Sequence, residues 1–289
     1  MSGFEFVSPE TLSEAIALLA GDDPTVRPFS GGTALMLMMK SGVFQPRVLV
    51  NLRGLHAELG RIEERGGSGL RIGALTTLAA LESSPEICHR APVISRAMTR
   101  LANVRVRNVA RVGGAIAHGD PHMDLPPVLT ALGATVNVVG QSGDRRVALE
   151  EFFVGYYETV LEPGELITSV DLPDQAGWSS IYLKTTTRSA DDWPALGVAV
   201  SLRATDGVVE DCRLVVSAAT EKATRLADAE GEIRGRTFDD RIFRLAADAA
   251  ASEAETISDS RGSAGYKSQL LRVQLRRALE QATAQDQPQ

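Results

Sequence analysis

Two pairs of adjacent glycines are the residues of this chain whose types and spacing best suit binding chemistry. The first pair lies in Arg27-Pro-Phe-Ser-Gly-Gly-Thr-Ala-Leu35, and the second lies about eighty residues later in Arg111-Val-Gly-Gly-Ala-Ile-Ala-His118. Glycine adopts positive φ angles without strain and has no Cβ to keep an anion away from backbone N–H groups. A single pair is equally typical of a tight turn. Together they indicate two loops that close on one phosphate-rich ligand.

The residues around the first pair predict a small β-loop-α-β unit. A short strand from 26 to 29 leads into the loop, a helix follows over 35–40, and a second strand covers 48–52. Thr33 adds a hydroxyl donor beside the glycines. Because a helix N-terminus carries a partial positive charge and free N–H groups, this unit places an anion site at the first pair.

The remaining pattern predicts an α+β chain. An early helix is expected with Ser8 at its N-cap and an apolar stripe through Leu12, Ile16 and Leu19. The pattern further predicts a hairpin over 59–64 and 70–73, helices over 78–83 and 91–102, and strands over 135–139, 145–149 and 166–173. Beyond a break near 174–177, strands are predicted over 182–187, 196–204 and 212–218, a hairpin turn at Asp206-Gly207, and helices over 239–254 and 263–283. The tail, residues 284–289, is predicted to be disordered.

Composition narrows the class of protein. At 289 residues, 44% hydrophobic and 23% charged, the chain is an ordinary globular protein of about two domains. A net charge of −7 with scattered basic residues argues against a nucleic-acid groove or a polybasic membrane patch. The two cysteines, Cys88 and Cys212, lack metal-ligand spacing and fit a reduced, cytoplasmic compartment. The sequence starts without a basic leader and contains no long apolar run, so neither a signal peptide nor a membrane span is expected.

One further cluster permits two interpretations. His118 and His122 are four residues apart with Asp120 and Asp124 close by, which is compatible with a metal site. Pro121 breaks the helical face that such ligands need, and this favours loop residues that shape a pocket. No Ser/His/Asp set or carboxylate pair suited to catalysis can be assigned, so we expect neither a catalytic residue nor a metal site.

Five motifs in order resemble the FAD-binding medium subunit of the molybdenum hydroxylases, the xanthine dehydrogenase and carbon monoxide dehydrogenase family. They are FSGGTAL, IGALTTLAAL, VRNVARVGGAIAHGDPHMDLPP, GELITSVDLP and IYLKTTTRSADDWPALGVAVSL, and they extend over nearly the whole chain. The resemblance implies a PCMH-type (vanillyl-alcohol-oxidase-like) FAD-binding fold of two α/β subdomains plus a C-terminal antiparallel sheet with helices. The implied boundaries are 1–175 for the FAD-binding domain, with subdomains of about 1–55 and 56–175, and 178–284 for the C-terminal domain.

The resemblance also implies the residues of an FAD site. The first loop would wrap the pyrophosphate, with backbone donors from Ser30 to Thr33, and it comprises Arg27, Pro28, Phe29, Ser30, Gly31, Gly32, Thr33 and Ala34. The second loop would lie near the phosphates and the ribityl chain, and it comprises Val112, Gly113, Gly114 and Ala115. Asp124 would accept a hydrogen bond from a sugar or ribityl hydroxyl, Ile167 would contact the flavin ring through its backbone, and Lys184 would lie near the isoalloxazine and favour the anionic reduced flavin.

Three positions depart from the pattern of many relatives. Arg111 and Ala115 replace a threonine and an asparagine, which changes the donors of the second loop, and Arg111 is a candidate to neutralise phosphate charge instead. Trp193 replaces a tyrosine and keeps an aromatic ring without the phenol.

The resemblance implies that the chain works in a complex, as a dimer of heterotrimers. A separate large molybdopterin-binding subunit would hydroxylate the substrate, and a small subunit would hold [2Fe–2S] clusters, for which this chain has too few cysteines. No nucleic acid and no membrane insertion are expected. Two alternatives stay open at this point: a stand-alone PCMH-type flavin oxidoreductase, and a non-catalytic nucleotide-binding assembly module.

Overall fold

The computed structural model describes residues 3–67 and 69–285 of the chain. Its strands are β1 (Glu5–Val7), β2 (Val26–Phe29), β3 (Val48–Asn51), β4 (Ile62–Arg65), β5 (Gly69–Gly73), β6 (Thr135–Gly140), β7 (Gly143–Ala148), β8 (Phe153–Gly155), β9 (Glu158–Thr159), β10 (Leu166–Leu172), β11 (Ser179–Thr185), β12 (Leu196–Thr205), β13 (Val208–Ser217) and β14 (Thr224–Arg225). Its helices are α1 (Leu12–Leu19), α2 (Thr33–Lys40), α3 (His56–Leu59), α4 (Leu78–Ser83), α5 (Pro85–Arg90), α6 (Pro92–Thr99), α7 (Val104–Val109), α8 (Val112–Ala117), α9 (Leu125–Ala131), α10 (Leu149–Phe152), α11 (Ala227–Ile233), α12 (Asp240–Glu253) and α13 (Ala264–Gln285). A 3₁₀ turn, Leu52–Leu55, follows β3.

The N-terminal region is a parallel sheet in the order β1-β3-β2, in which β2 and β3 are the strands of the predicted β-loop-α-β unit and β1 is an additional strand. Its first helix, α1, does not begin where the sequence indicates. Thr11, not Ser8, is the N-cap, because its hydroxyl accepts from the backbone N–H of Glu14 at 3.1 Å. The Ser8 hydroxyl instead accepts from the Asn51 side chain at 3.0 Å, which ties the start of the chain to the end of β3.

The middle region is an antiparallel sheet in the order β4-β5-β10-β6-β7. Strand alternation explains its orientation: Ile72, Val136, Val138 and Val170 are fully buried in one hydrophobic cluster with the helices, while neighbouring positions face the other side. The predicted hairpin is confirmed, since β4 and β5 pair antiparallel. The sheet therefore presents one apolar face to the helices that precede and follow the second glycine pair.

Two predictions for this region need correction. The helix expected over 91–102 is α6, which ends earlier, at Thr99, and a separate helix, α7, follows that the sequence did not predict; between them Ala102 takes a positive φ of 47°, and Asn103 caps α7 by accepting from two backbone N–H groups. The second glycine pair is not a loop: Gly113 and Gly114 lie within α8, and neither has a positive φ. Glycine disfavours a helix interior by about 1 kcal/mol, which tertiary packing overrides here.

The C-terminal region is an antiparallel sheet, β11-β12-β13-β14, with helices packed on it through a second hydrophobic cluster. Asp206 and Gly207 both have positive φ angles, 52° and 78°, and they make the predicted hairpin turn between β12 and β13. The α+β class is thus confirmed. Disorder of the tail is wrong for residues 284 and 285, which belong to α13, and residues 286–289 lie outside the described part of the chain.

Candidate cofactor-binding site

The first glycine pair needs glycine at both positions. Gly32, the N-cap of α2, has a φ of 70°, and a Cβ on it would lie 2.4 Å from the Phe29 ring. A Cβ on Gly31 would lie 2.3 Å from the Val109 carbonyl oxygen and 2.8 Å from the Ala110 Cα. The loop therefore packs directly against the backbone that leads into the second glycine pair.

The second pair is held equally close to its neighbours. Gly113 donates its N–H to the Ala74 carbonyl at 2.8 Å, and a Cβ on Gly113 would lie 2.8 Å from the Ala74 Cβ. Gly114 faces the first loop, since the atom nearest to its missing Cβ is the Ser30 hydroxyl at 3.6 Å. The structure thus brings the two pairs together, although they are far apart in sequence.

Unused hydrogen-bond donors gather at this junction. In α2 the first helical hydrogen bond is from Met36 N–H to the Gly32 carbonyl, so the N–H groups of 32–35 have no partner within the helix. Gly32 has no side chain to cap them. A diphosphate suits these donors and the positive end of the helix dipole. The buried Thr76 hydroxyl also lacks a hydrogen-bond partner, while its backbone carbonyl accepts from Val112 N–H at 3.0 Å.

Ile167 lies next to the second pair through a strand irregularity. The pairing of β10 with β6 shifts between Ile167 and Ser169, which leaves Thr168 outside the ladder. The Thr168 carbonyl then accepts from Ala74 N–H at 2.9 Å, and Ala74 is the residue that Gly113 contacts. The backbone around Ile167 consequently reaches the edge of the glycine junction.

Asp124 and Lys184 contact each other in the structure. The Lys184 ammonium donates to Asp124 Oδ2 at 2.9 Å and to the Arg100 carbonyl at 2.9 Å, and the Tyr182 hydroxyl donates to Asp124 Oδ1 at 2.7 Å. The Asp124 and Lys184 side chains are buried and Tyr182 is partly buried: burial raises the pKa of Asp124, and the charge of Lys184 opposes that rise. Both carboxylate oxygens are therefore engaged, and the predicted contacts of Asp124 and Lys184 with the flavin stay predictions.

Sequence analysis missed two residues of the site. Tyr182 precedes Lys184 by two positions on β11, so both side chains lie on one face of the strand. Arg53 follows β3, which pairs in parallel with β2, and the Phe29↔Asn51 pairing brings Arg53 to the first loop. The alternation of side chains along β11 is the signal for Tyr182. The shared edge of the parallel strands β2 and β3 is the signal for Arg53.

His122 belongs to a network of charged groups. Its Nδ1 is 2.9 Å from Asp120 Oδ1, and its Nε2 is 3.1 Å from Asp259 Oδ2. Asp259 also accepts from the fully buried Lys267 ammonium at 2.8 Å. Within residues 3–67 and 69–285, no group of three or more side chains is arranged to hold a metal ion. His122 thus links the segment after the second glycine pair to the C-terminal region by hydrogen-bond contacts with two aspartates.

Asp259 makes the stability of this network depend on pH. Burial alone would raise the pKa of Asp259, but hydrogen bonds from Lys267, the Arg261 N–H and His122 lower it to about 2. A depressed pKa stabilises the folded state above the ordinary value of 3.8, and the contribution is lost as the pH falls towards 2.

We expect Asp259→Asn to reduce the free energy of unfolding by about 1–2 kcal/mol at pH 7, because the amide cannot balance the Lys267 charge and the site is partly open to solvent. The difference from the unchanged protein should shrink between pH 4 and pH 2. Urea unfolding at pH 7, 5 and 3 measures it. A deficit that is equally large at all three pH values would contradict the assignment.

Trp193 lies at the rim of this network. Its ring stacks on His122 with 6.3 Å between centroids, and the Arg261 guanidinium lies 5.4 Å from the ring centroid. The side chain is half-exposed and lines an open depression together with Ala102 and Asn103. Ala102 is two residues beyond Arg100, the carbonyl partner of Lys184, so the depression is close to the buried ion pair.

Two protein-family models match this chain over nearly its whole length. Residues 2–175 match the family model described as FAD binding domain in molybdopterin dehydrogenase, and residues 181–282 match the CO dehydrogenase flavoprotein C-terminal domain. The glyceraldehyde dehydrogenase medium chain of Sulfolobus acidocaldarius is 32% identical over 278 residues, with 96% of this chain and 98% of that one covered. The carbon monoxide dehydrogenase medium chain of Hydrogenophaga pseudoflava is 34% identical over 284 residues, 97% of each chain.

Solved structures of related enzymes have the same fold as this chain. Carbon monoxide dehydrogenase from Hydrogenophaga pseudoflava superposes with a TM-score of 0.93 at 35% identity and covers 97% of both chains. Quinoline 2-oxidoreductase from Pseudomonas putida 86 gives 0.90 at 28% identity, with 97% of this chain and 96% of that one covered. In the described residues, no helix combines the length and apolar character needed to cross a membrane. The resemblance carried by the five motifs is confirmed: the chain belongs to the FAD-binding subunits of the molybdenum hydroxylase family, and its cofactor is FAD.

Proposed function

We propose that this chain is the electron-transfer subunit of a heteromeric molybdenum hydroxylase and that it holds the FAD diphosphate at the junction of its two glycine pairs. The observation that carries the position is the packing of Gly31 on Val109 and Ala110, with Gly114 opposite Ser30. When bound, FAD accepts electrons from iron–sulfur clusters of a partner subunit and supplies them to an external acceptor.

The role of this chain's own residues is to bind and orient the FAD. The N–H groups at the start of α2 and the rest of the backbone of 27–34 would bind the diphosphate. At the second pair, Val112, Gly113 and Ala115 already donate their N–H groups to the carbonyls of Thr76, Ala74 and Arg111, so this segment would contribute through Gly114, which faces the first loop. Lys184 is held by Asp124 and the Arg100 carbonyl near the depression beside Trp193, so its ammonium group is positioned before any ligand binds, while the Asp124 carboxylate offsets its charge. Residues 27–34 and 112–115, with Asp124, Ile167 and Lys184, remain the proposed contact set.

The cysteine content supports a division of labour between subunits. The two cysteines are an exposed Cys88 and a buried Cys212, whose burial raises its pKa to about 12. Two [2Fe–2S] clusters require many more thiolate ligands. We therefore propose a small [2Fe–2S] subunit and a large molybdopterin subunit as partners. We also propose that the complex is a dimer of heterotrimers in the cytoplasm and that this chain is divided into domains 1–175 and 178–284.

Purification through a tag on this chain, expressed together with its neighbouring genes, tests the proposal. We expect a complex of three different subunits with a flavin absorption spectrum that dithionite bleaches. The free chain turning over a substrate would contradict the role as a subunit. A colourless complex that takes up no FAD would contradict the proposed site.

A further inference from the structure

Two arginines are anchored beside the glycine junction, one at each glycine pair. Arg53, in the 3₁₀ turn after β3, donates its Nε–H to the Ser30 carbonyl at 2.8 Å, and its guanidinium lies 5.1 Å from the Phe29 ring centroid. Phe29 and Ser30 belong to the first loop, so this side chain is fixed on that loop. Its two terminal amino groups are not used by the contact with Ser30.

Arg111 stands at the second pair. It is the N-cap residue of α8, and its Nη1 donates to the Leu75 carbonyl at 2.7 Å. Leu75 follows Ala74, the residue against which Gly113 packs. Each arginine is therefore anchored by one N–H to a backbone carbonyl beside one glycine pair, which leaves the remaining donors for another partner.

The two cations have no carboxylate of their own. In the ranges 3–67 and 69–285, no acidic side chain lies within ion-pair distance of Arg53 or Arg111. Burial lowers the pKa of Arg111, and the charge of Arg53 lowers it further, so the two guanidinium groups repel each other across the junction. Two like charges held beside unpaired helix N–H groups favour an anion between them.

We propose that Arg53 and Arg111 form a guanidinium clamp that binds the diphosphate of the dinucleotide cofactor at the glycine junction. The inference rests on the proposed position of the FAD diphosphate. It adds two cationic ligands: Arg53 lies outside the glycine motifs, and Arg111 stands where many relatives have threonine. Guanidinium groups suit this task because they bind phosphate oxygens through two parallel N–H donors.

Flavin affinity of the deflavinated complex tests the clamp, with flavin fluorescence quenching as the readout and FAD and riboflavin as the probes. We expect Arg53→Gln and Arg111→Gln each to weaken FAD affinity about tenfold or more. Riboflavin, which has no phosphate, should bind each variant as it binds the unchanged complex. Arg241→Gln, an exposed arginine of α12 with no ion pair among the described residues, is the matched control and should leave both affinities unchanged.

The outcomes separate the clamp from the proposed function. An unchanged complex that binds no FAD overturns the proposed function, whereas FAD binding that is equally tight in the variants overturns the clamp alone. An equal loss for riboflavin overturns it too, because that result indicates a structural role. If a variant does not fold, the salt dependence of the unchanged complex decides: FAD affinity should fall with added salt while riboflavin affinity does not, and equal responses overturn the clamp.

Discussion

Gly31→Ala is expected to lower the affinity of the complex for FAD by about 10- to 100-fold. The new Cβ would meet the Val109 carbonyl oxygen at 2.3 Å and the Ala110 Cα at 2.8 Å, and both are backbone atoms that cannot rotate away. The loop must shift, so the N–H groups at the start of α2 move relative to α8. Overpacking of this kind costs about 1–3 kcal/mol, and we expect most of it to appear as lost cofactor binding.

The measurement is an FAD titration of the deflavinated complex, together with its flavin content after purification. Gly231→Ala, in α11, is the matched control, because a Cβ there meets nothing within 4 Å. That variant should retain FAD fully and be as stable as the unchanged protein or slightly more so. Full FAD content in Gly31→Ala would show that the junction of the glycine pairs is not the diphosphate site.

The sequence predicts correctly those strands and turns whose conformation depends on residues adjacent in the chain. The alternation of buried Val136 and Val138 with less buried neighbours indicates β6, and Asp206-Gly207 supplies the two positive φ angles of a tight hairpin. Both features depend only on residues adjacent in sequence. The first glycine loop is predicted for the same reason, since a strand, two glycines and a helix follow each other directly.

The errors arise where distant contacts decide the backbone. The helix expected over 91–102 ends at Thr99, and the carbonyl of the next residue, Arg100, accepts from the Lys184 ammonium at 2.9 Å, 84 residues along the chain. Gly113 is helical because Ala74 accepts its N–H and leaves no room for a side chain. Neither contact leaves a signal in the pattern of apolar and polar residues. From the sequence alone, the second glycine pair is therefore predicted to be a loop.

The candidate site divides in the same way. Motif residues such as Gly31 and Gly114 are visible in the sequence, but the contact between their two segments is a property of packing. Arg53 has no motif of its own, and only the pairing of β2 with β3 brings it to Ser30, 23 residues earlier in the chain. The ion pair of Asp124 with Lys184 spans 60 residues, and neither side chain has a local signal for its partner.

That ion pair leads to the largest expected effect on stability. Lys184→Met should reduce the free energy of unfolding by about 3–5 kcal/mol, because the Asp124 carboxylate would stay buried with only the Tyr182 hydroxyl to stabilise its charge. The Arg100 carbonyl would also lose its partner. Adding Asp124→Asn should restore much of the loss, since the amide is uncharged and its oxygen still accepts from Tyr182.

Urea unfolding of the single and double variants at pH 7 measures this coupling as a double-mutant cycle. The control is Arg272→Met, which removes the partner of the exposed Asp248 at 3.0 Å and should cost at most about 1 kcal/mol because solvent screens that pair. If Lys184→Met costs no more than Arg272→Met, the charge at position 184 is not needed to hold Asp124 in the folded state. A double variant that is as unstable as the single one would locate the loss in packing around β11 instead, because removing the unpaired carboxylate charge would then have recovered nothing.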